Sequence, residues 1–240
     1  MTNQKNLVIT ASIFAMLCMP LLAAGNTAAK PRGVEAQAVE KIADDDVEAA
    51  KKTIERLKSR FKIETDEFTN RTTYMPKKEI SYQWVPAKGL ISPEIRDGDL
   101  FVRTLISEAT YPDTITIKIG DTVTTYKSII AKTTPVKEYY GLYGHQFILR
   151  YETIFAFPDD SLLRHIASHA KEINQDGISR RYLGENGKTT DYIIPDIPKN
   201  KRYWKWYIKH IKEMVEVIIE TLELYDALQI VKRSEQQEIE

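Results

Sequence analysis

The segment Thr114-Ile115-Thr116-Ile117-Lys118-Ile119 alternates polar and apolar residues without a break, and Thr122-Val123-Thr124-Thr125-Tyr126 resumes an extended pattern after Gly120-Asp121. A period of two sends one side of a strand to the core and the other to solvent. A two-residue connection led by glycine joins such runs as an antiparallel hairpin. Strand-like character extends from Thr72 to Phe157. Leu100, Val102 and Ile106 share one parity, and residues 79–85 are a further candidate strand. Phe147, Leu149, Tyr151, Phe155 and Phe157 also share a parity, which predicts a long strand over about 145–157. No long helical period separates these runs, so pairing is expected to be antiparallel rather than through βαβ units.

Helical periodicity brackets this region. Val47, Ala50, Ile54, Leu57 and Phe61 are spaced three, four, three and four apart, placing one apolar stripe on a helix over about 45–62. Asp44 or Asp45 can cap it, and Asp44-Asp45-Asp46 suits the positive helix start. Its basic residues read as a solvated face, the alternative being a short coiled-coil contact with a partner. After Pro158, a second helix follows a cap at Asp159 or Asp160, with Leu162, Leu163, Ile166, Ala170 and Ile173 on its stripe and Gly177 at its end. A second hairpin turns at Gly184-Glu185-Asn186-Gly187, where Asn-Gly is the strongest turn signal in the chain. Beyond Pro195 and Pro198, Trp204, Ile208, Ile211, Val215, Ile218, Leu222 and Tyr225 mark a long closing helix over about 201–231. Together these predict one α+β domain over 45–231. It consists of a mainly antiparallel β-sheet with an N-terminal, a middle and a long C-terminal helix, followed by a polar frayed tail over 232–240.

The chain opens with Lys5, an apolar run over 7–24 and a small-residue patch over 23–29. That is the order of a secretory signal peptide, expected to occupy 1–25 and to precede a flexible spacer over 26–44. The run sits at the lower limit for a spanning helix and is broken by Thr10, Ser12 and Pro20. An uncleaved N-terminal anchor is the alternative, and it would be the chain's one route to a membrane. Lipidation at Cys18 is a third reading, although Leu17 stands where a lipobox requires a small residue. Cys18 is the single cysteine, so cleavage would leave no thiol for disulfides, metal ligation or catalysis. The remaining chain, roughly 210 residues, is long enough to bury an ordinary core. With 34 basic and 34 acidic residues, the balanced charge argues against a nucleic-acid binder or a strongly basic membrane-surface protein.

Asp66-Glu67-Phe68, Thr72-Thr73-Tyr74 and Lys77 stand after the first helix. Near the other end come Arg180-Arg181-Tyr182-Leu183-Gly184, Asp191 and a helix closing on residues 222–228. This order resembles a loosely defined group of uncharacterised bacterial exported and lipoprotein-type domains, which open with Asp-x-Phe…Thr-x-Tyr and end with an Arg-Tyr-x-Gly hairpin and a helix. The resemblance covers about 61–228. It implies an antiparallel α+β domain, carries no established activity, and departs from the group in the lipid-attachment cysteine.

Several residues are candidates for chemistry. His165 and His169 are four apart on one helical face, as metal-binding pairs are, but the Glu that a zinc metalloprotease places after its first His is absent. His145, His210, Glu172 or Asp176 would have to complete a site. Glu152 stands in an apolar strand with Arg150 as a same-face partner. No Gly-x-Ser-x-Gly elbow or phosphate loop occurs, and no cofactor is implied. Tyr139, Tyr140 and Tyr143 lie among glycines, while Trp204 and Trp206 lie in a Tyr-Trp-Lys-Trp-Tyr run at the last helix start. Such rigid aromatic surfaces with polar tips suit interfaces, though helix-on-sheet packing is the plainer role. Arg180 and Arg181 can bind a carboxylate or phosphate, or simply charge a strand edge. The expectation is an exported protein, periplasmic or secreted. It would act as a non-enzymatic binding or interaction module for an envelope protein, peptide or glycan. The alternative is an exported hydrolase using carboxylates or a His-bound metal.

Overall fold

A computed structural model describes residues 42–78, 89–106, 110–140, 146–184 and 186–237, all within one compact unit, Glu40–Glu240. The expected signal peptide, the candidate strand over 79–85 and nearly all of the expected spacer lie outside the described residues.

Fourteen elements are described: α1 (Asp44–Lys58), β1 (Phe61–Thr65), β2 (Thr72–Pro76), β3 (Ser92–Arg96), β4 (Asp99–Ile106), β5 (Pro112–Ile119), β6 (Thr122–Lys127), β7 (Ile130–Tyr140), β8 (Gln146–Ala156), α2 (Ser161–Ser168), α3 (Ala170–Asp176), β9 (Ser179–Gly184), β10 (Thr189–Tyr192) and α4 (Arg202–Gln237). The strands form two sheets, ordered β1-β2-β3-β4-β8-β7 and β10-β9-β5-β6. Every pairing among the described residues is antiparallel. The fold is α+β, as the patterning predicts, although the strands divide between two sheets rather than filling one.

The alternation in β5 decides which way the smaller sheet faces. Ile115, Ile117 and Ile119 are buried, while Thr116 and Lys118 look outward. The β5–β6 turn runs through Gly120 at φ 54°, where L side chains fit poorly. In the larger sheet, Val102, Thr104 and Ile106 of β4 and Thr153 and Phe155 of β8 present the buried parity. The two inner faces meet where the rings of Phe155 and Tyr182 stack with centroids 6.4 Å apart. The Tyr182 hydroxyl donates to the Gly89 carbonyl at 2.6 Å and accepts from Thr104 Oγ1 at 3.1 Å, so the polar groups of both strands are satisfied inside the core.

The long helix α4 packs against α1, α2, α3 and β3. Its buried face holds the expected Trp204, Ile208, Ile211, Val215, Ile218 and Leu222. Tyr207, Met214, Val217, Thr221, Leu224 and Ala227 are buried as well. A helix that touches elements on several sides needs more than one stripe.

Four boundaries differ from expectation. The first helix stops at Lys58, and Phe61, expected on its stripe, opens β1 with its side chain buried; spacing alone fits both. Ala43 rather than an aspartate stands at the N-cap, with the acidic triplet inside the first turn. The middle helix is two short helices, because the Ser168 hydroxyl and the His169 ring both engage the His165 carbonyl and disturb the ladder there. The expected frayed tail is helical to Gln237, whose side chain accepts the Ile42 N–H at 3.3 Å and ties the helix end to the start of α1.

Among the described residues β7 is an edge strand of eleven residues, and it contains Pro135, opposite Tyr151. Proline is tolerated in an edge strand because its missing N–H can face the open side.

Candidate functional site

The two adjacent arginines of β9 are sent to opposite faces. Arg181 lies on the outer face and donates to Asp191 of β10 through Nε at 2.8 Å and Nη2 at 2.7 Å. This fork holds the Asp191 carboxyl below its ordinary range and raises Arg181. Arg180 lies on the inner face between Ile117 and Tyr192, and it is only 3% exposed.

The outer face carries a groove of about 490 Å³ whose lining includes Thr116, Lys118, Val123, Ser179, the Arg181–Asp191 pair and Ile193. Val123 is 60% and Ile193 72% exposed, so apolar surface lies in the open between charged groups. The Ser179 hydroxyl accepts the Ile194 N–H at 3.1 Å and fixes the chain that leaves β10 along one wall.

A larger polar groove of about 810 Å³ lies at the ends of β1 to β4, lined by Glu64, Asp66, Arg71, Arg96, Asp97 and Asp99 among others. Most of its charges have internal partners. Asp66 accepts from the Phe68 N–H and the Thr69 hydroxyl, which lowers its carboxyl pKa. Arg71 reaches Asp97 at 3.9 Å, and Arg96 pairs with Glu94. Phe68, in the turn between β1 and β2, is fully exposed.

His165 and His169 do come together, with ring centroids 4.7 Å apart. The Tyr126 hydroxyl and His165 Nδ1 share a hydrogen bond at 2.5 Å, and burial, with Asp159 second, raises the Tyr126 phenol pKa. His169 Nδ1 donates to the His165 carbonyl at 3.0 Å. Each Nδ1 is thus committed, and among the described residues no group of three His, Cys, Asp or Glu is placed to hold a metal ion. His145 lies outside the described residues. His210 packs edge-on against Trp206 at 4.2 Å and pairs with Glu213, and Asp176 pairs with Lys199.

The pair has a consequence for pH. Burial first, and His169 second, push the His165 pKa below its ordinary value of 6.5. The unfolded chain therefore binds more protons as pH falls through about 6.5, and stability present above that pH is lost below it. Melting midpoints taken from about pH 7.5 to 5 are expected to fall on the acid side. In His165→Asn, whose amide oxygen can accept the Tyr126 hydroxyl, that acid slope is expected to be shallower.

The remaining candidates are scattered. Trp204 is 7% exposed and belongs to the core, tilted against Tyr207 with Lys199 over its ring, so it offers no free surface. Trp206 is half-buried between Tyr203 and His210. Tyr139 and Tyr140 end β7, paired with Phe147 and Gln146, and Tyr143 lies outside the described residues. Glu152 takes Arg103 of β4 at 3.4 Å as a partner, a cross-strand contact that the expected Arg150 pairing overlooks. Lys118 and Val123 face each other across the predicted β5–β6 hairpin, but Ile193 joins them only through the β9–β5 pairing, which the sequence does not reveal.

Comparison of the chain with family models, curated proteins and solved structures finds no match. No helix among the described residues is long and apolar enough to cross a membrane.

Proposed function

We propose that the chain is an exported bacterial envelope protein that binds a partner rather than catalysing a reaction, with the outer face of the β10-β9-β5-β6 sheet as its contact surface. The observation that carries this reading is the groove itself. Exposed Val123 and Ile193 flank Lys118 and the Arg181–Asp191 fork on a rigid, hydrogen-bonded sheet. Apolar anchors rimmed by charge are the composition of a protein or peptide interface. The basic start, apolar run and small-residue exit over residues 1–29 support export. The balanced charge gives no support to a nucleic-acid partner.

Photo-cross-linking residues placed at Val123 and Ile193, in cells producing the full chain, test the reading. A discrete adduct is expected from both positions and none from Lys51 on the exposed face of α1. Mass spectrometry of the adduct identifies the partner as protein, peptide or glycan and reads the mature N-terminus. Equal adducts from Lys51, or none from the groove, would overturn it.

A further inference from the structure

Among the described residues, Arg180 is a buried charge without a counter-charge. It sits opposite Ile117 and Tyr192, and its Nε and Nη1 have no hydrogen-bond partner there. Ile117, Ile178 and Tyr182 are all fully buried. The Tyr192 ring lies 6.0 Å from the guanidinium carbon, at the outer limit of cation–π attraction. The Tyr182 hydroxyl, on the same face of β9, is already committed to Gly89 and Thr104. A guanidinium cannot shed its proton, and an uncompensated charge in such surroundings is among the most destabilising features a fold can keep. Its neighbour Arg181 provides the contrast, facing solvent and paired with Asp191 through Nε and Nη2.

We propose that Arg180 anchors an oxyanion site, holding a carboxylate or phosphate group of a ligand against the inner side of β9. The inference goes beyond the contact surface proposed above and concerns the other face of the same strand. Guanidinium N–H groups match oxyanion geometry, and their attraction is stronger where water is excluded. The guanidinium faces the side of the sheet opposite the outer groove, so the oxyanion site and the contact surface are separate sites on the two faces of β9.

Unfolding midpoints of the full chain, taken in inorganic phosphate and in succinate against sodium chloride of equal ionic strength, test the proposal. At saturating concentration, one anion is expected to raise the midpoint by about 4–10 °C over chloride. A response to phosphate alone identifies a phosphoryl ligand, and a response to succinate alone a carboxylate. Arg180→Met is expected to melt about 2–8 °C higher than the parent in plain buffer and to lose the anion response entirely. Lys51→Gln, on the exposed face of α1, is expected to retain that response. Calorimetric titration of the unmodified chain with the same two anions gives a readout independent of any variant's folding, and heat from one of them is expected. Three results would overturn the site: no response to either anion, an unchanged response in Arg180→Met, or a lower midpoint for that variant in plain buffer. Groove cross-links that persist without anion binding overturn this inference alone; anion binding without groove cross-links overturns the contact surface instead.

Discussion

Phe155→Ala is expected to remove about 3–5 kcal/mol of folding stability. Phe155 is completely buried on the inner face of β8. Its ring stacks on Phe157 at 5.8 Å and on Tyr182 of the other sheet at 6.4 Å. Alanine would leave a void between two hydrogen-bonded sheets, neither of which can move in without breaking its own ladder. A domain of this size has about 5–15 kcal/mol in hand, so the variant is expected to remain folded but to unfold at a much lower urea midpoint. Urea titration followed by tryptophan fluorescence checks this, with an unchanged slope if the denatured state is unaffected. A loss below about 1 kcal/mol would mean that the sheets can close over the void.

Gly184→Ala is expected to destabilise by about 1–3 kcal/mol through collision rather than conformation. A Cβ on Gly184 would stand 2.0 Å from the Thr110 carbonyl oxygen, a backbone atom that no rotamer change can move aside. The site lies where the β5–β9 register shifts between Pro112 and Thr114, so the bulge and the glycine are built around each other. Gly187 in the same turn separates the two mechanisms. It has φ 74°, and a Cβ added there would meet nothing within 4 Å, so Gly187→Ala is expected to cost about 1–2 kcal/mol from backbone strain alone. In Gly187→Asn the loss is expected to be smaller, since asparagine tolerates that region, whereas Gly184→Asn is expected to be worse than Gly184→Ala. Thermal unfolding of the four variants gives the ranking directly, and its reversal would refute the assignment.

Local signals carry much of this architecture. Strict alternation places Ile115, Ile117 and Ile119 inward, and Gly120-Asp121 and Asn186-Gly187 mark two hairpins that form with the expected pairing. The helix stripes likewise name much of the core. What escapes local patterning is set by contacts distant in sequence. Phe61 satisfies a helical stripe and a strand start equally, and only pairing with Pro76 of β2 selects the strand. Division into two sheets depends on β9 joining β5 across a long stretch of chain, which no period reveals. The same holds for the candidate site. Arg180 and Arg181 are visible as a pair, but their opposite fates follow from alternation along β9, one side meeting Asp191 and the other the core. The aromatic run 203–207 reads as a surface because a helix must display such a run all round. The packing of α4 instead buries Trp204 and Tyr207.

Pro135 on the margin of β7 bears on how copies of this protein behave in a crowd. Among the described residues, the outer edge of the strand's eleven residues carries no paired strand and forms a zipper half that an extended chain could close, including another copy of itself. Closure needs an unbroken row of teeth, and the proline removes one near the middle of the strand. An intruding strand can engage a few residues on either side but cannot run the length. A break at that position shortens the stretch over which a second copy could pair.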